Sequence, residues 1–255
     1  MDTRESVPVS EVAAIVLAAG EGTRMKSPLP KVLHLLRGRP LLAYVLDALS
    51  GAGVSHVTVV VGYKGEEIEK IVSDGIRTVW QKDQLGTGDA VRQAEASLQD
   101  FDGPILVLYG DTPLLTADTL MQLVKLHRDG GASCTLLTVE IDDPAGYGRI
   151  IRSEEGAVVA IREDKDATSE ERAIREINVG AYVFNARELF QVLTEVTCAN
   201  RSGEYYLTDT IALFCAQGKK VLGYKTPRAW ETLGINSQEE LRQADEILGG
   251  TRSSR

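Results

Sequence analysis

The sequence predicts an α/β fold: a Rossmann-like, doubly wound, mostly parallel (mixed) sheet carrying a smaller β-rich extension. Three observations predict it. Strand-length apolar runs alternate with helix-patterned segments through about residue 140, the order of a parallel sheet with helices on both faces. The strand runs are apolar without interruption, as strands covered on both faces are. After that point short strands separated by polar stretches replace the alternation, which reads as an antiparallel or mixed addition laid over the sheet.

The elements follow in order. Val12–Ala18 is a continuous apolar run and reads as a doubly buried strand. Pro40–Leu49 has Leu41, Leu42, Val45, Leu46 and Leu49 at helical spacing and stops at Gly51. His56–Val61 is β-branched and strand-like, Glu66–Val72 a short helix, and Thr78–Gln81 a short strand. Gly88–Leu98 places Ala90, Val91, Ala94 and Leu98 on one helical side. Ile105–Tyr109 is a buried strand, Thr116–Arg128 a helix with Thr116 as N-cap, and Ser133–Val139 a strand. Gly148–Arg152, Val158–Arg162 and Ile177–Phe184 are shorter strands, with the polar stretch Glu163–Glu171 among them. Helices at Glu204–Ala216 and Ser237–Leu248 flank a strand at Val221–Tyr224. The expected organisation is an arm at 1–11, one domain over 12–248 and a frayed tail from Gly249 to Arg255. Within the domain the expected parts are 12–140, 141–236 and a C-terminal helix at 237–248.

The 255 residues include 28 Lys+Arg and 37 Asp+Glu, a net charge of -9, and 43% are hydrophobic. That length supports a sizeable core without disulfides. The acidic balance argues against a protein that coats nucleic acid, yet leaves room for a local cationic pocket that takes a small phosphate ligand. Cys134, Cys198 and Cys215 are odd in number and lack CxxC spacing, so reduced thiols and a cytoplasmic location are expected. No apolar run has the roughly 20 residues of a membrane span, and the start, Met-Asp-Thr-Arg-Glu, has no signal-peptide apolar region. His34, His56 and His127 are scattered and form no metal cluster or triad pattern.

The first strand runs into Leu17-Ala18-Ala19-Gly20-Glu21-Gly22-Thr23-Arg24-Met25. A small, glycine-rich turn after the first strand of such a sheet lets backbone N–H groups approach phosphate oxygens, and Gly20 and Gly22 allow angles a β-carbon forbids. An ordinary tight turn would read the same from Gly-x-Gly alone. Met25 stands where the dinucleotide fingerprint wants its third glycine, which argues against a nicotinamide or flavin site. The Walker pattern does not occur, nor does a Gly-x-Ser-x-Gly elbow. Arg24 follows the glycines and Lys31 follows Pro28-Leu29-Pro30, and two fixed cations suit a transfer that develops charge on phosphoryl oxygens. Asp111 ends a buried strand, where ligands of open α/β sheets bind. From position alone it is either a magnesium ligand or a capping side chain.

Taken together these residues resemble sugar-1-phosphate nucleotidyltransferases, and among them the uridyltransferase domain of the bifunctional N-acetylglucosamine-1-phosphate enzymes. The glycine turn and Leu29-Pro30-Lys31-Val32-Leu33-His34 carry the resemblance first. It continues in family order through Gln81, Gln84-Leu85-Gly86-Thr87-Gly88, Tyr109-Gly110-Asp111-Thr112-Pro113-Leu114 and Asp143-Pro144-Ala145-Gly146-Tyr147-Gly148-Arg149. Glu163-Asp164-Lys165-Asp166-Ala167, Glu176-Ile177-Asn178-Val179-Gly180, Gly203-Glu204-Tyr205-Tyr206-Leu207-Thr208-Asp209 and Gly234-Ile235-Asn236 complete it.

The resemblance implies a magnesium-dependent uridylyltransferase that makes UDP-N-acetylglucosamine, a cell-wall precursor, from UTP and N-acetylglucosamine-1-phosphate. It implies that Leu17, Ala18, Ala19, Gly20 and Gly22 cradle base and phosphates, with Gln81, Gln84, Gly86 and Thr87 on the nucleotide. Arg24 would contact the leaving phosphates, and Lys31 the sugar phosphate and α-phosphate. Asp111 and Asn236 would hold magnesium. Tyr109, Gly148, Glu163 and Asn178 would bind the amino sugar, with Tyr205 or Thr208 near it. From the residues themselves, Glu163 equally belongs to a solvated charge run, Tyr205 to core packing, and Asn236 to a turn whose Ser237 and Glu240 form a capping box. Another sugar-1-phosphate such as glucose-1-phosphate, and a non-catalytic nucleotide-sugar binder, are the alternatives. No hexapeptide run occurs, so no left-handed β-helix, no acetyl transfer and no β-helix trimer is expected from this sequence.

Overall fold

Every residue of Ala13–Ala18 is apolar, and in strand β1 (Ala13–Ala18) they divide between two cores. Ala14, Val16 and Ala18 face one cluster, while Ala13 and Ile15 face the other. A strand's two-residue period enforces this division, and it explains why the sequence shows no polar alternation there. The computed structural model describes residues 12–251. The expected arm at 1–11 and residues 252–255 of the expected tail lie outside the described residues.

A two-residue hairpin of β2 (Leu35–Leu36) and β3 (Arg39–Pro40) leads into helix α1 (Leu41–Gly51). Strand β4 (His56–Val61), helix α2 (Gly65–Glu69), strand β5 (Arg77–Trp80) and helix α3 (Thr87–Gln93) follow. Next come β6 (Pro104–Tyr109), α4 (Ala117–Gly130) and β7 (Cys134–Glu140). Thr116 caps α4 as expected, accepting the Thr119 N–H, and Gly131 closes it in the left-handed conformation. The second part contains β8 (Arg149–Arg152), β9 (Val158–Arg162), α5 (Ser169–Arg172), β10 (Glu176–Asn185), α6 (Ala186–Leu193), α7 (Asp209–Ala216), β11 (Val221–Lys225) and α8 (Gln238–Thr251).

The main sheet runs β11-β7-β10-β6-β1-β4-β5, with β8 and β9 attached at β10. β5, β4, β1 and β6 are mutually parallel. β10 is inserted antiparallel between β6 and β7. The sheet is therefore mixed, and its antiparallel strand comes from the second part of the chain, although it sits inside the sheet and not over it. Leu42, Val45, Leu49, Leu120, Leu123 and Val124 of α1 and α4 fill one face. Val91, Leu189, Val192, Ile211 and Phe214 of α3, α6 and α7 fill the other. Chain order reverses about β1, with β4 on one side and β6 on the other, so their carboxyl ends open a crevice. The register aligns Leu17 with Tyr109, Ala18 with Val61 and Val61 with Trp80, which puts the residues after each strand on one rim.

Three expectations about elements need correction. The helix expected from Glu204 begins only at Asp209. Upstream, the Tyr205 N–H donates to the Leu85 carbonyl, the Gly88 N–H donates to the Tyr205 carbonyl, and the Leu207 N–H donates to Thr87. Backbone groups spent on α3's approach cannot also form a helical turn. The helix expected to end at Leu248 continues to Thr251, because the Arg37 guanidinium bonds both the side chain and the carbonyl of Asp245 and supports the last turns. Helix α6 was not anticipated; Asn185 caps it by accepting the Glu188 N–H, and Leu189, Val192 and Leu193 bury its apolar side.

Candidate active site

A cleft of about 380 Å³ lies on the rim where β1, β5 and β6 end, and the β8–β10 extension forms its far wall. Its size falls in the range of small-molecule sites. Leu17, Ala18, Ala19 and Gly20 from the turn after β1 form the floor. Gly110 N–H donates to the Leu17 carbonyl at 2.9 Å, so the β1 and β6 exits are tied together at the centre.

Gly22 does not line the cleft, but it governs a residue that does. Its φ is +69°, and a β-carbon there would lie 2.6 Å from Lys31 Cβ. Glycine at position 22 is thus required by angle and by space. Gly20 differs from expectation: it is absent from the positive-φ residues, and a β-carbon on it would meet nothing within 4 Å. At Gly20 glycine keeps the floor open.

Four polar side chains from four chain segments converge at one point. Lys31 Nζ donates to Asp111 Oδ2 and, at 2.9 Å, to Asn236 Oδ1. Arg24 Nη2 donates to the same Asn236 oxygen at 2.8 Å. Asp111 is buried, so the ammonium also compensates a desolvated carboxylate. Asn236 is held in turn by Glu240, whose Oε2 accepts the Asn236 N–H at 2.7 Å and the Ser237 hydroxyl at 2.9 Å. Of the expected capping box only one half forms: the Glu240 N–H donates to Ser237 Oγ at 3.2 Å, while the Glu240 carboxylate takes the N–H of Asn236 instead of that of Ser237. It serves to anchor the residue just before the cap, and Glu240 itself lines the cleft.

Asp111 and Asn236 aim two oxygens at a spot now bridged by an ammonium, one carboxylate and one neutral amide. That donor set fits magnesium, which takes one or two carboxylates and completes its shell with substrate oxygens and water.

On the wall expected to meet the nucleotide, Gln81 is one residue past β5 and buried. Its Nε2 donates to the Gly86 carbonyl at 3.0 Å and to Asp89 Oδ2 at 2.8 Å. Both amide protons are engaged, so Oε1 remains as an acceptor for a ligand N–H. Gln84 Nε2 donates to the Ala19 carbonyl at 3.1 Å and braces the floor. Gly86 and Thr87 also line this wall.

The opposite wall carries Tyr109, Gly148, Glu163 and Asn178. Glu163 accepts the Thr208 hydroxyl at 2.8 Å. Burial, reinforced by Asp209, Asp166 and Glu204, holds its carboxyl above the usual carboxylate range despite that bond. Thr208 is buried behind Glu163 and does not line the cleft. Arg149 is buried and bonds the Tyr147 carbonyl and, at 3.0 Å, Asp164, tying the loops on either side of Glu163. The Tyr205 ring is placed elsewhere: it packs under the Arg92 guanidinium, 4.8 Å from its centroid, in a separate groove. Only its backbone serves the site, through Leu85 and Gly88.

Sequence reasoning named Glu240 only as a cap and gave Tyr147 and Glu204 no role of their own, yet all three line the cleft. The signal for Glu240 was the capping box beside Asn236. Tyr147 lies inside Gly146-Tyr147-Gly148, where the flanking glycines carry the local signal.

Fold and cleft together define an enzyme of the nucleotidyltransferase class. Residues 14–202 match the MobA-like NTP transferase domain, and the chain belongs to that family. It is 47% identical over 238 residues to the bifunctional protein GlmU of Pelotomaculum thermopropionicum, covering 93% of this chain and 52% of that protein. It is 48% identical over 235 residues to GlmU of Heliobacterium modesticaldum, covering 92% and 51%. The chain thus spans about half the length of these relatives. A solved UDP-glucose pyrophosphorylase in complex with UDP-glucose shares the fold, with a TM-score of 0.75 at 19% identity, covering 94% of this chain and 98% of the other. Among the described residues no helix is long and apolar enough to cross a membrane.

Proposed function

We propose that this chain catalyses formation of UDP-N-acetylglucosamine and pyrophosphate from UTP and N-acetylglucosamine-1-phosphate, with magnesium as cofactor, in the cytoplasm. The observation that carries the reading is that one cleft joins an amide acceptor at Gln81, two cations at Arg24 and Lys31, and a polar wall at Glu163 and Asn178. A nucleotide and a sugar phosphate require all three in that order. The ordered motifs and the GlmU relatives support the choice of uridine nucleotide and amino sugar.

The sugar phosphate oxygen attacks the α-phosphorus of UTP in line. The new bond is oxygen to α-phosphorus, the bond to the β-phosphate bridging oxygen breaks, and pyrophosphate carries off the electron pair. A phosphate monoester is already largely ionised near neutral pH, so no general base is needed. Lys31 and Arg24 leave their present oxygen partners and neutralise charge on the phosphates, Lys31 near the α-phosphate and Arg24 toward the leaving group. Gln81 Oε1 accepts from uracil N3–H, and the same oxygen would meet a lone pair on cytosine. Glu163 and Asn178 orient the sugar, which turns the encounter of two anions into a positioned reaction. Magnesium held by Asp111 and Asn236 supplies charge neutralisation on phosphate oxygens when bound. Incubation of the purified chain with UTP, N-acetylglucosamine-1-phosphate and magnesium is expected to yield the nucleotide sugar and pyrophosphate in equal amounts by phosphorus NMR. Unreacted UTP would overturn the reading.

A further inference from the structure

One buried hydroxyl group lies behind the sugar wall, outside the cleft. Tyr182 of β10 is fully buried and stacks on Phe184, with ring centroids 5.6 Å apart. Its oxygen accepts a 2.7 Å hydrogen bond from Asn178 Nδ2. In a regular strand, residues four apart stand roughly 13 Å from each other along the axis. Here the register of β10 against β7 shifts between Asn178 and Tyr182, and the irregularity brings the two side chains together. Asn178 Oδ1 accepts the Gly180 N–H at 3.3 Å, so both ends of the amide are engaged and its orientation is fixed.

Tyr182 thus accepts from Asn178, which lines the cleft, and touches no part of the cleft itself.

We propose that Tyr182 is a positioning residue for the sugar end of the site: it holds the Asn178 amide, fixes which of its atoms face the cleft and so sets affinity for the sugar phosphate. This rests on the function proposed above. Tyr182→Phe removes one oxygen and keeps the stacked ring, which makes it the test. A structural role alone would move both substrates or neither. The expected result is a KM for the sugar phosphate raised about tenfold, from leaving Asn178 Nδ2 unpaired and free to turn. The KM for UTP and kcat are expected to stay within about twofold. On an Asn178→Ala background, adding Tyr182→Phe is expected to change the sugar KM less than twofold, as residues acting through one another are non-additive. An unchanged sugar KM, equal rises in both KM values, or full additivity would each overturn the inference. A second readout needs no substrate: in a nitrogen-15 spectrum of the free protein, the Asn178 side-chain amide pair is expected to shift on Tyr182→Phe, and an unmoved pair overturns it. Absence of product from the unmodified enzyme would count against the proposed function, while this spectrum still decides the role of Tyr182.

Discussion

Lys31 Nζ lies 2.9 Å from Asn236 Oδ1 although 205 residues separate them in the chain. One residue follows the glycine turn and the other precedes the last helix. Their meeting point is where the Asp111 carboxylate and the Arg24 guanidinium also arrive. This end of the cleft is therefore assembled from both halves of the sequence, and it sets the two cations Arg24 and Lys31 beside the carboxylates of Asp111 and Glu240.

Removing either cation should remove turnover and keep the fold. Lys31→Ala and Arg24→Ala are each expected to lower kcat about 100- to 1,000-fold, the scale seen when one charge-stabilising donor is lost. Circular dichroism should be unchanged for both. Near-normal kinetics in either variant would contradict the placement of the phosphates.

Gly22→Ala tests the turn without touching a cleft-lining residue. The substitution strains a φ of +69° and drives a methyl group to 2.6 Å from Lys31 Cβ. A loss of about 1–2 kcal/mol in stability is expected from the left-handed backbone alone. The displaced Lys31 should also lower kcat about tenfold or more, since small misplacements are costly to transfer reactions. Chemical denaturation and steady-state kinetics read the two effects separately.

Asp111→Asn removes the one carboxylate of the proposed metal site and keeps its shape. The magnesium concentration for half-maximal activity is expected to rise at least about tenfold, because a neutral amide is a poorer ligand for this ion. A superimposable magnesium titration would assign Asp111 to the pairing with Lys31 alone.

His127 offers a test of the core that is independent of chemistry. Burial, with Arg128 adding to it, lowers its pKa from 6.5 to about 4, and Nδ1 lies 3.2 Å from the Thr135 hydroxyl. The unfolded chain binds the proton first as pH falls, so stability is full above pH 6.5 and declines toward pH 4. The full decline attributable to this group, from above pH 6.5 to below pH 4, is roughly 3 kcal/mol. Thermal melts of the wild type and His127→Gln should converge as pH drops through that window.

The sequence revealed the parallel half of the fold because its signals are local. Ala13–Ala18 and Pro104–Tyr109 are buried on both faces and read as unbroken apolar runs, and Thr116 announces its helix by its own side chain. The insertion of β10 between β6 and β7 was not legible, since pairing of strands distant in sequence leaves no local mark. The expected cleft residues came through where glycine turns and strand ends marked them. Tyr205 was expected at the sugar; its neighbours in the motif supply the backbone that meets Leu85 and Gly88, while its ring turns to Arg92. Glu240 was visible as a cap, but only the folded chain shows that the cap holds Asn236.

The most direct measurement is pyrophosphate release with UTP and magnesium across a panel of sugar-1-phosphates, run in parallel on the wild type and Lys31→Ala. The account predicts the highest kcat/KM for N-acetylglucosamine-1-phosphate over glucose-1-phosphate, and loss of that activity in the variant. Higher efficiency with another sugar phosphate, or turnover that survives in Lys31→Ala, would contradict it.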